Sequence, residues 1–323
     1  MNQEKNVSQP NSDPTPKQEQ ATPAATSEVN TPVAIPEIPA TPEEQALHAL
    51  AEDPYTLNAD ADRVRLVAQT RLFTNYIKAN AYRFVGHEAK RILDIGCGEG
   101  QLTRIFAQLY PQAEVIGIDK NPKVIEEAQK KAAKDLPNLK FMVGDIQEGL
   151  PPGPFDIVYG SAILVHVPNT QKVLQLIHDV LAPGGKFWSK EPDWTVGIPH
   201  PAYMEPIKLL YGTIGKRGGH PDIAKEIEPA LKDANFDPVH LEQELYPLGR
   251  TTSDARIAFS LFAGALYNAR TFISQTHGIP EDSVIKMYRD ACSIFMDENG
   301  PVGKLLLVNY IATRPGIPDA DPA

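Results

Sequence analysis

The 323-residue sequence has little of what several protein classes require. Its two cysteines, Cys97 and Cys292, are too few for a disulfide framework or a multi-cysteine zinc site, and no metal site is predicted. No run of about 18 apolar residues occurs, so we expect no membrane span. No apolar segment follows Lys5 near the N-terminus, which argues against a secretory signal. Together these features favour an intracellular protein, located in the cytoplasm.

The sequence also lacks an excess of basic residues. Its formal net charge is -10, with 31 Lys and Arg against 41 Asp and Glu. Proteins that bind nucleic acid usually present a basic field to the phosphates. The charge balance therefore favours a small-molecule partner over a nucleic acid.

The first 45 residues contain no Phe, Trp, Tyr, Leu, Gly or Cys. They hold eight prolines, and seven acids against two lysines. Such a segment cannot bury enough apolar surface to offset the entropy lost on ordering. We predict a disordered, acidic, proline-rich tail over 1–45, a folded part over 46–316 and a short disordered tail over 317–323.

From residue 91 onward, short apolar runs alternate with helical patterns, which predicts a parallel sheet with crossover helices. The predicted strands are 91–95, 115–118, 140–143, 155–159, 186–189, 239–245 and 305–311. The predicted helices are 60–83, 100–109, one starting near Pro122, 170–181, 222–234 and a helical block over 252–297. Pro183-Gly184-Gly185 is a strong helix breaker.

The segment from Asp94 to Gly100 carries the most information. A strand leads into a turn in which Gly96, Gly98 and Gly100 alternate with other residues, and a helix comes next. Glycine permits positive φ and close approach of a ligand, and the first turn of the helix offers free N–H groups. Asp119 ends the next strand, where a carboxylate can accept both hydroxyls of a ribose.

The spacing of this loop separates two classes of cofactor. The dinucleotide fingerprint is G-x-G-x-x-G, which admits a pyrophosphate, whereas the spacing here is G-x-G-x-G. Asp94 precedes the first glycine by two residues, where a carboxylate would repel a pyrophosphate. It would suit a cofactor with a positive charge, such as a sulfonium or an amino-acid ammonium. The pattern favours S-adenosylmethionine over NAD.

Five segments in this order resemble the class I S-adenosylmethionine-dependent methyltransferases, over roughly residues 85–245 and the last strand. They are Leu93-Asp94-Ile95-Gly96-Cys97-Gly98-Glu99-Gly100, Gly117-Ile118-Asp119, Val143-Gly144-Asp145-Ile146, Phe155-Asp156-Ile157-Val158 and Leu181-Ala182-Pro183-Gly184-Gly185. The resemblance implies an α/β, Rossmann-like fold. Its seven-stranded, mostly parallel sheet would have an antiparallel last strand, helices on both faces and helical insertions that form a lid.

The resemblance also implies where the cofactor contacts lie. The methionine moiety would lie over Asp94, Gly96 and Gly98, within a loop that includes Cys97 and Gly100. The ribose would lie on Asp119, beside Lys120. Asp145 and Ile146 would flank the adenine, and Ser161 would face the methionine and the acceptor.

Each of these residues has a structural alternative. The glycines could only form a tight turn, Asp119 could cap the next helix, and Asp145 could be a solvated loop acid. Cys97 is interpreted as a small space-filling residue within the loop, not as a nucleophile.

His166 lies after the fourth strand and is the candidate catalytic residue. Its pKa range suits a general base, but a structural role in the same position is equally consistent with the sequence. Glu191, Asp193 and Trp194 come after the predicted fifth strand and could line the acceptor pocket or pack within a loop.

Three segments outside the common core are expected to select the acceptor. Helix 60–83 is similar to an N-terminal cover seen in this family, from which Tyr55, Arg63 and Gln69 could reach the cofactor. The segment 192–221 is predicted to be a flexible lip. The block 248–300 could be a lid over an apolar acceptor, a homodimer face, or plain core.

The residues just after the fourth strand disfavour some acceptors. The sequence there is Tyr159-Gly160-Ser161-Ala162, not the Asn/Asp-Pro-Pro-aromatic run typical of enzymes that methylate exocyclic amines. No Pro-Cys pair is present for attack on cytosine. We therefore predict methylation of an oxygen or carbon atom of a small, partly apolar molecule. The alternatives are a protein or peptide methyltransferase, a non-catalytic cofactor-binding protein and an aminopropyl transferase.

Overall fold

The structure is a computed structural model that describes residues 60–132, 136–237, 239–248, 253–296 and 299–316. Among them, the side chains of residues 60–72, 253–263, 268, 295 and 296 are not described. The predicted tails over 1–45 and 317–323 lie outside the described residues.

A seven-stranded sheet occupies the centre of the described residues, with the strand order β3-β2-β1-β4-β5-β7-β6. Strands β1 to β5 pair in parallel, and β7 runs antiparallel to both β5 and β6. The strands are β1 (Arg91–Ile95), β2 (Glu114–Asp119), β3 (Leu139–Val143), β4 (Phe155–Ser161), β5 (Leu181–Asp193), β6 (His240–Leu248) and β7 (Gly303–Thr313). The predicted fold class, with its antiparallel last strand, is confirmed.

Helices cover both faces of this sheet. They are α1 (Asp60–Val85), α2 (Gln101–Leu109), α3 (Pro122–Lys131), α4 (Thr170–Val180), α5 (Pro201–Lys216), α6 (Ile223–Asp233), α7 (Ser253–His277) and α8 (Glu281–Met296). Alternate strand residues point to opposite faces. Leu93 accordingly packs in a core with residues of α4 and α6. Its neighbour Ile92 packs with residues of α1 and α2 on the other face.

The fifth strand is longer than the sequence predicts. Helix α4 ends at Val180, and β5 starts at once, so the Pro183-Gly184-Gly185 breaker lies inside the strand. The register against β4 shifts between Phe155 and Ile157, which accommodates the extra residues as a bulge. Glu191 and Asp193 therefore lie within β5, whereas the sequence predicted that they come after it.

The segment 192–221, predicted to be a flexible lip, contains the sixteen-residue helix α5. Its N-terminus is capped by His200, whose Nδ1 accepts a hydrogen bond from the N–H of Ala202 at 3.2 Å. Tyr203, Ile207 and Leu210 are buried along one face of the helix. Pro206 lies inside the helix and masks its sequence signal.

Helices α7 and α8 form the block that the sequence left open between lid, dimer face and core. Helix α7 packs against α1, α5, α8 and β6. Leu266 and Ile273 of α7 are buried in one cluster with Val284 and Tyr288 of α8. These described residues are core, while a lid or a dimer face remains a prediction. No helix in the described ranges is long and apolar enough to cross a membrane.

A chain of buried polar groups joins β5, β6 and β7. The indole Nε1 of Trp188 donates a hydrogen bond to Asn309 Oδ1 at 2.9 Å, and Asn309 Nδ2 donates to Glu244 Oε1 at 2.5 Å. Glu244 also forms an ion pair with Lys190 Nζ at 2.7 Å. Buried polar groups are stable only when their partners are present, so Asn309 links the sheet core to a buried charge pair.

The substitution Asn309→Leu tests this link. It removes the acceptor of the Trp188 N–H and one donor to Glu244, and each buried group left without a partner costs about 1–3 kcal/mol. We expect the free energy of unfolding, measured by urea denaturation, to fall by about 2–4 kcal/mol. The control Gln243→Leu, at an exposed position of β6, should change it by roughly 0.5 kcal/mol or less. Equal effects of the two substitutions would contradict the link.

Candidate active site

A cavity of about 690 Å³ opens at the carboxyl edge of the parallel strands. Its wall includes Gly96 after β1, Asp119 at the end of β2, Gly144 after β3 and Ala162 after β4. Small-molecule sites typically measure about 300–1,000 Å³ and lie at this edge of open α/β sheets. The cavity is therefore the candidate active site.

The turn between β1 and α2 forms one side of this site. Gly96 and Gly98 have φ of 66° and 55°, a region that other residues rarely adopt. Asp94, at the end of β1, is buried and accepts a hydrogen bond from Thr103 Oγ1 at 2.6 Å. Burial raises the pKa of Asp94 to about 7, the Thr103 bond opposes this shift, and the charge of Asp119 adds to it.

Asp119 connects the turn after β1 to the turn after β2 through hydrogen bonds. Its Oδ2 accepts a hydrogen bond from the N–H of Gly98 at 3.1 Å, and its Oδ1 accepts one from the N–H of Asn121 at 2.9 Å. The cap of α3 is Asn121, which accepts from the N–H of Lys123. The alternative that Asp119 only caps the next helix therefore describes only part of its position, because Asp119 also holds Gly98 and belongs to the cavity wall.

Lys120, Asp145 and Ile146 also line the cavity. Ile146 is buried, whereas Asp145 is half-buried and accepts a hydrogen bond from the N–H of Gln147 at 2.9 Å. A buried apolar side chain beside a carboxylate suits an adenine, which has an apolar face and an amino group that can donate.

His166 lies in the wall, on a short 3₁₀ turn (Leu164–His166) after β4. Glu191 holds this turn, because its Oε1 accepts hydrogen bonds from the N–H groups of Ile163 at 3.3 Å and Leu164 at 3.0 Å. Burial, and then the charge of Lys120, lower the pKa of His166. The imidazole is therefore mostly neutral at pH 7 and able to accept a proton.

The connection from β4 to this turn is strained. Ala162 has φ of 50°, which is unusual for a residue other than glycine, and its N–H donates to the carbonyl oxygen of Lys190 at 2.8 Å. Such strained backbone clusters at functional sites. Ser161, immediately before it, does not belong to the cavity wall.

Beyond these residues the wall becomes mostly apolar. Phe73 of α1, Leu210 of α5 and Phe272 of α7 contribute to it, together with Trp194 and Leu305. The only acids among the described wall residues are Asp119 and Asp145. Lys190 and Arg217 also belong to the described wall, but the side chain of Lys190 has no exposed surface.

Four other residues that the sequence predicted to contact the cofactor do not line the described cavity, namely Asp94, Cys97, Gly98 and Gly100. A Cβ on Gly100 would lie 2.2 Å from the ring of Phe141, so this glycine is required by packing. Burial raises the pKa of the Cys97 thiol above the range of a nucleophile, which fits the space-filling interpretation. Tyr55, Arg63 and Gln69 lie outside the described side chains.

The sequence did not reveal several wall residues, including Phe73, Lys190, Thr213 and Arg217. They come from β5 and from helices α1 and α5, far from the glycine loop in sequence. No local pattern marked Lys190, because it follows Ser189 and precedes Glu191, beyond the end of the predicted fifth strand. Of the three residues considered around β5, Trp194 lines the cavity, whereas Glu191 holds the 3₁₀ turn and Asp193 accepts hydrogen bonds from Thr195.

Comparison with known proteins agrees with this geometry. A family model described as a methyltransferase domain matches residues 86–216. The trans-aconitate 2-methyltransferase of Deinococcus radiodurans is 40% identical over 95 residues, which are 29% of this chain and 35% of that protein. The methyltransferase str2 of Strobilurus tenacellus is 27% identical over 222 residues, which are 66% of this chain and 78% of that protein. The match to the first of these relatives thus spans about a third of its length.

Among solved structures, the (4+2)-cyclase SpnF has a TM-score of 0.50 and 20% identity. The match covers 77% of this chain and 82% of that chain. At this identity the likeness concerns the fold alone, and one fold supports different reactions.

Four observations point to the same fold and cofactor. They are the strand order, the glycine loop with Asp94 and Asp119, the matched family model and the methyltransferase relatives. Over residues 86–216 the chain carries a methyltransferase domain, and it is similar to S-adenosylmethionine-dependent methyltransferases.

Proposed function

We propose that this protein transfers a methyl group from S-adenosylmethionine to an oxygen or carbon atom of a small, partly apolar organic molecule. The observation that supports this most strongly is the continuity of the cavity. One cavity has two differently lined ends. Asp119, Asp145 and Gly96 line one end, and apolar side chains line the other. A donor and an acceptor in one enclosed space can be held in reactive orientation.

The residues present fit S-adenosylmethionine. Asp119 offers a carboxylate to a ribose, and Asp145 with Ile146 offers a polar and an apolar contact to an adenine. Asp94 lies two residues before Gly96 and outside the described cavity wall, so its carboxylate would attract the ammonium of the methionine moiety through its charge and not by lining the cavity. When bound, this cofactor supplies a methyl group on a positively charged sulfur, which leaves as a neutral thioether.

The chain's own residues then position the acceptor. Apolar side chains such as Trp194, Leu210 and Phe272 would bind its apolar part and exclude water. His166 has two roles open to it. It can accept a proton if the acceptor loses one, or it can shape the wall if the acceptor reacts without losing a proton.

The competing functions predict different properties. A protein or peptide acceptor needs an open surface at the cavity, whereas the wall draws residues from α1, α5 and α7 around the apolar end. A non-catalytic cofactor-binding protein would bind S-adenosylmethionine and transfer nothing. Several relatives are named for trans-aconitate, a small organic molecule, which supports the small-molecule proposal.

Asp119→Asn tests the ribose contact. The amide keeps an acceptor oxygen for the backbone but loses the charge and one acceptor that two ribose hydroxyls require. We expect the Kd for S-adenosylmethionine, measured by calorimetry, to rise at least about tenfold, since hydrogen bonds to charged groups contribute roughly 1.5–3 kcal/mol. The exposed control Glu226→Gln should leave the Kd unchanged. The parent protein should bind S-adenosylmethionine and not NAD, and an unchanged Kd for Asp119→Asn would refute the assignment.

The substitution Asp94→Asn tests the buried carboxylate through the pH dependence of the protein's stability. A pKa raised by burial from 3.8 to about 7 means that the folded protein loses stability as the pH rises from about 4 to 8. Asn keeps an acceptor for Thr103 and carries no charge. We therefore expect the unliganded variant to be more stable than the parent at pH 8, by roughly 1–4 kcal/mol, and equally stable near pH 4.

The same variant should bind S-adenosylmethionine at least about tenfold more weakly at pH 8, because the ammonium loses its counter-charge. Thermal denaturation at several pH values and calorimetry at pH 8 measure the two effects. A variant that is less stable at pH 8 and binds as tightly as the parent would overturn both expectations.

A further inference from the structure

We propose that Glu191 is a positioning residue for methyl transfer, because its buried carboxylate fixes the turn after β4 that forms one side of the cavity. This inference rests on the proposed function, to which it adds a residue that acts through others. Glu191 itself does not line the described cavity.

The turn after β4 supplies a continuous part of the cavity wall. Its wall residues lie side by side within 162–168, and they are Ala162, Ile163, Val165, His166, Val167 and Pro168. They belong to one short segment of backbone. A shift of this segment would therefore move the candidate base and several apolar contacts of the acceptor together.

Strand β5 holds the start of this turn. The fully buried carboxylate of Glu191 accepts hydrogen bonds from the N–H groups of Ile163 at 3.3 Å and Leu164 at 3.0 Å. The carbonyl oxygen of Lys190, the preceding residue of the strand, accepts one from the N–H of Ala162 at 2.8 Å. Two neighbouring residues of β5 thus bind three consecutive N–H groups of the turn.

The turn has little to hold its shape without these contacts. Ala162 has a φ of 50°, and such a backbone conformation persists only where the surrounding structure determines it. Within the turn, the N–H of His166 donates to the carbonyl oxygen of Ile163 at 3.0 Å. A single 3₁₀ turn has few such bonds of its own. Its conformation therefore depends on β5.

Ile163 connects the turn to the glycine loop. A Cβ on Gly96 would lie 2.6 Å from the Cδ1 atom of Ile163, so this side chain packs directly on the backbone of the loop. The turn thus lies between the glycine loop and the apolar end of the cavity. Its position sets the distance between a donor and an acceptor, and a misplacement of about 1 Å can lower a rate by about 100-fold.

A carboxylate is costly at the place of Glu191. Burial raises its pKa to about 7, and the N–H groups of Leu164, Ile163 and Val165 oppose that shift. Its Oε2 atom has no hydrogen-bond partner among the described residues. Packing alone would favour an apolar side chain here, whereas a carboxylate oxygen is needed to bind the N–H groups of the turn.

Asp156 provides a matched control. Its Oδ2 accepts hydrogen bonds from two consecutive N–H groups, those of Lys90 at 2.6 Å and Arg91 at 2.8 Å. Arg91 begins β1, so this contact lies at the amino edge of the parallel strands, and none of the three residues lines the described cavity. The two carboxylates make the same kind of contact at opposite edges of the sheet.

The first experiment measures transfer from methyl-labelled S-adenosylmethionine to a fixed amount of a metabolite extract, with the cofactor varied. We expect Glu191→Leu to lower the maximal rate at least about 100-fold, since it displaces the turn. The KM for S-adenosylmethionine should change less than about threefold, because the ribose and adenine contacts lie on other strands. Asp156→Leu should change neither quantity by more than about threefold.

The conservative variant Glu191→Gln keeps an oxygen that can accept from the turn. A neutral oxygen is a weaker acceptor than a charged one. We therefore expect Glu191→Gln to be at least about threefold slower than the parent and at least about tenfold faster than Glu191→Leu. If Glu191→Leu does not fold, the comparison of Glu191→Gln with the parent decides, and equal rates would overturn the inference.

The exchange of amide hydrogens tests the contact itself and needs no acceptor. We expect a peptide covering 162–167 to exchange at least about tenfold faster in Glu191→Leu than in the parent, because two of its N–H groups lose their partner. In Asp156→Leu this peptide should exchange as in the parent. Unchanged exchange in Glu191→Leu would overturn the inference, since the turn would then keep its shape without the carboxylate.

The remaining outcomes separate the inference from the proposed function. Transfer by the parent that Glu191→Leu leaves intact, or that Asp156→Leu lowers equally, would overturn only the role of Glu191. No transfer by the parent protein would refute the proposed function, and the role of Glu191 in transfer would fall with it.

Discussion

The site depends on one topological constraint, the reversal of chain direction across the sheet at β1. From β1 the chain crosses to β2 and β3 on one side, then returns to β4 and β5 on the other. The turns that leave β1 and β4 therefore separate at the carboxyl edge and leave a crevice. Most of the wall residues lie at or just after the ends of strands β1 to β5 or on the helices that cover this crevice.

Burial at this crevice gives the ionisable groups their properties. Asp94 and Glu191 both have pKa values raised to about 7 by burial, while burial lowers the pKa values of His166 and Lys190. Charges held away from water act more strongly on a ligand than charges at a surface. The cost of holding Asp94 in place would be repaid on binding a positively charged cofactor, which links the stability of the fold to its proposed function.

The sequence predicted well what local patterns encode. The alternation of short apolar runs with helical periods predicted the sheet, and the loop from Asp94 to Gly100 predicted the crevice and the cofactor. Patterns failed where tertiary structure overrides local signals. The helix before Pro183 ends at Val180, close to the predicted position, but the residues from Pro183 to Gly185 lie inside a bulged strand. Pro206 obscured α5, because a proline normally breaks a helix. The three segments expected to select the acceptor contribute to the apolar end, but its individual residues could not be predicted, since side chains such as Phe73 and Leu210 reach it only through long-range packing.

The central claim is that a single cavity holds the cofactor at the end formed by the glycine loop and Asp119, and the acceptor at its apolar end. A crystal structure of the full chain with S-adenosylhomocysteine tests it most directly. The account predicts the ribose hydroxyls within hydrogen-bond distance of Asp119, with the sulfur facing the space that Trp194 and Leu210 line. Adenosine density beside Phe272, or density away from the glycine loop, would contradict it.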